Sequence, residues 1–251
     1  MIRPMLVAGF MAVMVGSIPA ETSLAMIIGD DAPRPAAPAA KPAVPPAAHE
    51  RFDKLVREDL FAGFGGDDER LAVGLARCDA TLAADPKHAE ALVWRGAVRV
   101  FQSSKLFGKG RFLAGMELWN GGIKDMDDAV ALAPDNPGVR IPRAAVLMPA
   151  ARSAPAAMGR PLLKRVLDDY QTMARLQADH LDKLGKHPLG ELRMGLADAY
   201  RANGDLPRSR EQLELVRKQL PDTDYAERAG KWLAAKPDAP LAHQCIGCHG
   251  Q

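Results

Sequence analysis

The sequence predicts an all-α protein in which stacked helix–turn–helix repeats form a short solenoid. The 251-residue chain is rich in alanine and only 5% aromatic, a composition typical of closely packed helices. From Arg51 onward, apolar residues do not alternate as in strands, and Gly, Pro, Asn and Asp divide the chain into helical stretches. Three of these stretches end in the same way, with a proline followed by a polar turn, at Pro86, Pro134 and Pro221.

Small residues recur at a fixed distance before these prolines. Gly74 precedes Pro86 by twelve residues, and Gly122 precedes Pro134 by the same distance. Small side chains allow two helices to cross closely, and the spacing fits a helix–turn–helix unit of 34 residues. Over roughly residues 55–235 the chain therefore resembles tetratricopeptide repeat proteins. The resemblance implies that the first helix of each unit lines a concave groove for a protein partner.

The first two units depart from the regular repeat. The first, about Leu55 to His88, is degenerate because the glycines within 63–66 weaken its first helix. The second runs from Ala89 to Pro134, with Gly96 where its helices cross. Its closing proline, Pro134, follows Pro86 by 48 residues, 14 more than the repeat, and we expect residues 103–115 to form an insertion between its two helices.

The remaining units and a terminal helix complete the predicted repeat domain, residues 51–236. The third unit, from Pro137 to about Leu189, is stretched and irregular. The fourth, Gly190 to Thr223, is the clearest, with Asn203–Asp205 as its turn. Residues 224–237 predict a capping helix, since stacked repeats need one to cover their last apolar face. Its apolar residues fall at helical spacing: Tyr225, Ala229, Trp232 and Leu233.

The N-terminal residues predict export. Residues 1–25 have the form of a signal peptide, with Arg3, an apolar run over 5–15 that is too short to span a bilayer, and a small-residue cleavage site. Residues 26–50 form a Pro/Ala-rich linker that we expect to be disordered. The protein is expected in the periplasm or otherwise exported, and at a membrane only if the signal is uncleaved. A net charge of +2 gives no indication of a nucleic-acid partner.

The tail, residues 237–251, carries the motif with distinctive chemistry, Cys245-Ile-Gly-Cys248-His249. Cys-x-x-Cys-His is the pattern of c-type haem attachment, in which two thiols form thioether links to the porphyrin and the histidine binds the iron. The sequence predicts one covalent haem c, with Cys245 and Cys248 as the attachment residues and His249 as an axial iron ligand.

The tail resembles c-type cytochromes only in this motif. Their domains usually continue after it and supply a second ligand, often Met, whereas only Gly250 and Gln251 follow His249 here. A haem pocket would then come from upstream residues, another subunit or a partner. By resemblance, the residues expected to line the repeat groove are Val93, Ala97, Val100, Ile141, Ala145, Met148 and Met194. Four side chains are candidate second ligands, none of which is assigned: Met148, Met194, His180 and His187.

Other interpretations use the same residues. His243, Cys245, Cys248 and His249 could form a tetrahedral metal site. Alternatively, Cys245 and Cys248 form a disulfide, and Cys78 is a buried thiol in the core.

Three functions follow from these interpretations. The favoured one is a haem protein in electron transfer or haem-based redox chemistry, with a redox partner protein and the repeats as a protein-interaction platform. The second is a haem-free periplasmic scaffold for protein–protein assembly, with the terminal disulfide. The third, a haem enzyme of peroxide or oxygen chemistry, would require a polar group above the iron. The sequence contains no Gly-rich phosphate loop and no nucleophile elbow.

Overall fold

A computed structural model describes residues 51–236, which are helical apart from short turns and contain no strand. The predicted signal peptide, the linker and the motif-bearing tail lie outside the described residues. Among the helices of the described part, none combines the length and apolar character needed to cross a membrane. The α-helices are α1 (Phe52–Phe64), α2 (Asp68–Ala84), α3 (Ala89–Gly108), α4 (Phe112–Leu132), α5 (Pro137–Ser153), α6 (Ala156–Leu176), α7 (Lys186–Ala202), α8 (Leu206–Gln219) and α9 (Asp224–Ala234).

Successive helices pack in pairs. α1 packs on α2, α3 on α4, α5 on α6, and α7 on α8, while α9 covers α8 at the end of the series. The first helices of neighbouring pairs also contact each other, α1 with α3 and α3 with α5. This arrangement confirms the predicted all-α fold of stacked helical pairs. It also places α1, α3 and α5 side by side along one surface.

The helices of the second pair cross at two glycines, as the repeat spacing predicts. A Cβ atom on Gly122 would lie 2.7 Å from the carbonyl oxygen of Gly96. A Cβ atom on Gly96 would lie 2.6 Å from the carbonyl oxygen of Gly122. Each backbone therefore occupies the space that the other residue's side chain would need, so the crossing depends on both glycines.

The expected insertion at residues 103–115 is wrong in one respect: its residues extend the two helices instead of forming a loop. α3 continues to Gly108, and α4 begins at Phe112 after a tight turn in which Gly110 has a φ of 72°. The extensions are paired by apolar contacts, with the Phe107 ring centroid 6.4 Å from that of Trp119. The extra residues of this unit therefore enlarge the wall formed by α3 and α4.

The irregular third unit and the capping helix also have clear structural forms. A 3₁₀-helix over Ala178–Lys183 joins α6 to α7 and accounts for the stretched length of that unit. The cap is confirmed, because α9 begins at Asp224 and buries Tyr225, Ala229 and Trp232 against α7 and α8. It thereby covers an apolar face that the last pair would otherwise expose.

Buried ion-pair clusters join the helices of the first three pairs, a feature that the sequence analysis did not predict. Each has a buried aspartate that accepts hydrogen bonds from two arginines of the paired helix: Asp59 with Arg70 and Arg77, Asp125 with Arg95 and Arg99, and Asp169 with Arg140 and Arg143. Asp169 has no exposed surface. Burial raises its pKa, while hydrogen bonds from Arg143 and Arg140 act in the opposite direction. The clusters constrain how the paired helices align, since a misaligned helix would leave a buried charge unpaired.

Candidate functional site

An apolar groove of about 990 Å³ runs along the surface formed by the first helices of the pairs. Side chains of α1, α3 and α5 line it, together with residues of α4, α6 and α7. Aromatic rings dominate one part of its wall: Phe61, Phe64, Trp94, Phe101, Phe107, Phe112 and Trp119. In a chain that is only 5% aromatic, this concentration marks one surface as different from the rest. We call this surface the aromatic groove.

The rings in the groove support one another. The Phe61 and Trp94 rings meet edge to face with centroids 6.0 Å apart, and the Phe64 and Phe101 rings do so at 5.1 Å. Such edge-to-face pairs are favourable arrangements of aromatic side chains. They connect the end of α1 to the middle of α3, so this wall is held by contacts between two helix pairs.

The lengthened α3 and α4 supply a second part of the wall. Phe107 lies near the end of α3, and Phe112 begins α4, with their ring centroids 6.4 Å apart. Phe112 is 65% exposed. A large apolar side chain so exposed beside an apolar groove is typical of a binding surface.

The groove contains part of the predicted lining. Three of the predicted residues are in it: Val100, Ile141 and Ala145. For the other four the prediction is wrong, because they are buried in the core: Val93, Ala97, Met148 and Met194. Two causes explain this result. α3 packs against both α1 and α5, so side chains that face its neighbours are covered. Met148 lies one heptad after Ile141 and points in a similar direction, but neighbouring helices cover it and leave it 3% exposed.

Of the four candidate second haem ligands, the structure brings only His187 to the groove. Met148 and Met194 are core residues, and Met194 lies among apolar residues of α7, α8 and α9. His180 is exposed on the 3₁₀-helix. His187, near the start of α7, lines the groove beside Glu191 and Leu192.

The imidazole of His187 belongs to a hydrogen-bonded relay. Its Nδ1 lies 2.7 Å from the hydroxyl oxygen of Tyr225, and that hydroxyl donates to Glu191 Oε1 at 2.7 Å. Arg228 lies 4.0 Å from the same carboxylate and stacks over the Tyr225 ring at 4.8 Å. A tyrosine hydroxyl has one hydrogen, which Glu191 accepts, so the hydrogen between His187 and Tyr225 belongs to His187 Nδ1.

The cysteines divide between the folded part and the tail. Cys78 has no exposed surface, and burial raises the pKa of its thiol to about 12. It is therefore the inert core thiol that the sequence analysis expects. Cys245, Cys248 and His249 lie outside the described residues. Within residues 51–236, no group of three or more His, Cys, Asp or Glu side chains has a metal-binding arrangement.

Comparisons of the chain with protein-family models, with curated proteins and with solved structures found no match. The resemblance to tetratricopeptide repeats therefore stays a prediction from the spacing of small residues and prolines, and the structure shows the coarser feature, helices packed in successive pairs. Function is inferred from the residues and geometry of this chain.

Proposed function

We propose that this protein is an exported helical-repeat protein that carries one covalent c-type haem on its C-terminal tail and takes part in electron transfer. The observation that carries the proposal is the Cys245-Ile-Gly-Cys248-His249 motif in a chain that begins with a signal-like segment. A bound haem would supply one-electron chemistry at its iron. The repeats would serve as the surface on which a redox partner protein docks.

The motif has the residues that this attachment needs. The S–H groups of Cys245 and Cys248 would each add across one vinyl group of the porphyrin, forming a C–S and a C–H bond with no leaving group. The chain should therefore gain the full mass of one haem. His249 follows directly and would bind the iron on one side.

The aromatic groove gives additional support to the proposal, which is based on the motif in the tail. It is apolar and large enough for a flat macrocycle or for part of a protein partner, since small-molecule sites of proteins span about 300–1,000 Å³. It also presents the oriented imidazole of His187. Apolar walls with one nitrogen ligand are the usual surroundings of a protein-bound haem.

Intact mass and a reduced absorption spectrum test the proposal. The full chain is exported from a host with active cytochrome c maturation, alongside Cys245→Ser/Cys248→Ser and Cys78→Ser variants. We expect one covalent haem in the wild type and in Cys78→Ser, which keeps the motif, and none in the double variant. A wild-type chain without covalent haem, or a double variant that retains it, would refute the proposal.

The groove also favours a second candidate function, a haem-free scaffold for protein assembly. A row of phenylalanines beside an exposed apolar surface is suited to an apolar segment of another protein. In that case Cys245 and Cys248 would form a disulfide, and the mass of the chain would fall by two hydrogens. If the tail residues His243, Cys245, Cys248 and His249 bound a zinc ion instead, chelators or acid would remove the metal from the protein.

A further inference from the structure

We infer that the turn between α3 and α4 docks on an anionic lipid surface. Phe112 and Leu113 would enter the apolar layer, while Lys109 and Arg111 would face the lipid head groups. We call residues 108–113 the α3–α4 tip. The basis is the projection of this turn from the fold, the exposure of its apolar side chains and the charges beside them. The inference goes beyond the proposed function and does not depend on the haem.

The α3–α4 tip projects beyond the helix pair that precedes it. The ring of Phe64, the last residue of α1, contacts the ring of Phe101 on α3, with centroids 5.1 Å apart. From Phe101, α3 continues to Gly108, which corresponds to about 10 Å of further helix. Every residue of the tip is exposed. The end of α1 therefore leaves the tip accessible to a large flat surface.

Backbone hydrogen bonds fix the conformation of the tip. The N–H of Arg111 donates to the carbonyl oxygen of Leu106 at 2.9 Å, and the N–H of Gly110 donates to that of Phe107 at 3.0 Å. With Gly110 at a φ of 72°, these bonds form the Schellman motif that ends many helices. α4 starts directly afterwards, since the N–H of Gly115 donates to the carbonyl oxygen of Arg111 at 2.9 Å. The side chains of the tip are thus carried by regular backbone.

Two apolar side chains lie on the outside of the tip. Phe112 is 65% exposed and Leu113 is 90% exposed. Leu113 lies outside the aromatic groove, so an occupant of the groove would not cover it. Transfer of such side chains out of water is favourable in proportion to the apolar area that is buried. A lipid interface provides this burial for a projecting pair without a shaped pocket.

Basic side chains flank the apolar pair. Lys109 and Arg111 are exposed, and residues 106–116 contain no Asp or Glu. The start of α4 lies beside them without a side-chain cap, and the N–H groups at a helix start attract anions such as phosphate. Anionic lipids attract basic residues that lie close to the membrane surface. The charge of the tip therefore complements an anionic surface.

Acidic side chains near the tip lie farther back along the helices. Residues 67–69 are acidic, and they lie level with Lys105 because Asp68 pairs with it. Lys105 is one helical turn, about 6 Å, behind Lys109. Glu117 follows Leu113 by the same distance in α4. These carboxylates would stay in water while the apolar pair enters the lipid.

Vesicle cosedimentation of the full-length exported protein tests the inference. The vesicles contain equal parts of phosphatidylglycerol and phosphatidylcholine, or phosphatidylcholine alone. We expect the wild type to bind the anionic vesicles more tightly. Leu113→Ser should lower its partition coefficient on them about tenfold. Lys109→Gln/Arg111→Gln should also lower it tenfold or more, and should change binding to phosphatidylcholine little.

Matched controls lie elsewhere on the fold. Leu132→Ser removes a leucine that is 44% exposed at the other end of α4. Arg217→Gln/Lys218→Gln removes the same two charges from exposed positions in the last turn of α8. Both variants should bind vesicles like the wild type. Far-UV circular dichroism should show the same helical content in all variants, because each changes exposed side chains.

A fluorescent probe at the tip keeps the test valid if another part of the chain also binds vesicles. In a Cys245→Ser/Cys248→Ser background, Leu113→Cys is labelled with an environment-sensitive fluorophore, and Leu132→Cys is the control. Cys78 is buried and escapes labelling. Anionic vesicles should shift the emission of the label at position 113 to the blue and leave that at position 132 unchanged.

The remaining outcomes would overturn the inference. Equal vesicle binding by the wild type and Leu113→Ser, together with an unshifted label at position 113, would exclude a lipid contact of the tip. Equal affinity for both vesicle compositions would exclude the role of Lys109 and Arg111. Self-association that Leu113→Ser abolishes, without vesicle binding, would assign the tip to a second copy of the chain. The probe experiment uses a chain without the haem motif, so its result is independent of the proposed function.

Discussion

Neighbouring glycines in α4 allow the predicted close crossing of α3 and α4 to be tested against an internal control. Gly121→Ala and Gly122→Ala add the same methyl group inside the same helix. Replacement of an interior helical glycine by alanine normally stabilises by about 0.5–1 kcal/mol, and this gain applies to both variants. The difference between them therefore isolates the contact that the new Cβ atom makes with α3.

The contacts differ sharply. At position 121 the nearest atom to an added Cβ would be Arg99 Nη1 at 3.7 Å, an ordinary contact. At position 122 the Cβ would lie 2.7 Å from the Gly96 carbonyl oxygen and 2.9 Å from Val100 Cγ2. The backbone oxygen cannot move aside without displacing α3, and overpacking of this kind costs about 1–3 kcal/mol. We expect the free energy of unfolding of the 122 variant to be lower than that of the 121 variant by this amount.

Thermal unfolding followed by far-UV circular dichroism measures the difference. In a domain of this size, 1 kcal/mol shifts the Tm by about 2–4 °C, so the two variants should differ by about 2–12 °C. Gly96→Ala, which adds a methyl group at the facing position, should behave like Gly122→Ala. Equal Tm values for the 121 and 122 variants would refute the close crossing.

Two further predictions concern the buried polar groups. In a Cys245→Ser/Cys248→Ser background, the Cys78 thiol should resist alkylation between pH 7 and 9 because its pKa in the folded protein is about 12. It should react when urea unfolds the chain. Rapid alkylation of the folded protein would contradict the burial of Cys78. Since that pKa is raised above its ordinary value of 9.0, Cys78 should favour unfolding as the pH rises above 9. Asp169→Ala should lower the free energy of unfolding by about 3–5 kcal/mol, because it removes the fully buried carboxylate that Arg140 and Arg143 share and leaves Arg143 with Asp127 alone. Asp168→Ala is the neighbouring control, because the Asp168 side chain is 64% exposed, and it should lower the free energy of unfolding by less than about 1 kcal/mol. Urea unfolding measures both variants. Similar decreases in the free energy of unfolding would contradict a stabilising role of the buried cluster.

The fold could be predicted from local features of the sequence. Proline stops, polar turns and small residues at fixed spacing act within one helix pair, so a single sequence contains the information to find them. Gly96 and Gly122 illustrate this, because the repeat spacing places both at the crossing that the structure has. The capping helix was predicted for the same reason, since its apolar residues follow the 3.6-residue period.

The groove lining could be predicted only in part because it depends on how one pair sits against the next. Ile141 and Met148 are one heptad apart and point in similar directions from α5, yet Ile141 is 53% exposed and Met148 is 3% exposed. A periodic pattern cannot distinguish them, since the difference comes from neighbouring helices that cover one residue and not the other. The ion-pair cluster at Asp169 was missed for a similar reason, because its arginines lie more than twenty residues away in sequence.

The proposed function assigns two tasks to different parts of the chain. The tail would hold the haem through covalent bonds to Cys245 and Cys248, while the folded repeats would supply the surface on which a partner protein docks. Substitutions in the two parts should therefore have separable effects. Phe112→Ala, at an exposed ring of the aromatic groove, should weaken partner binding and leave the covalent haem in place. Cys245→Ser/Cys248→Ser should remove the haem and leave the groove available to a partner, so loss of partner binding in that variant would show that the haem itself takes part in recognition.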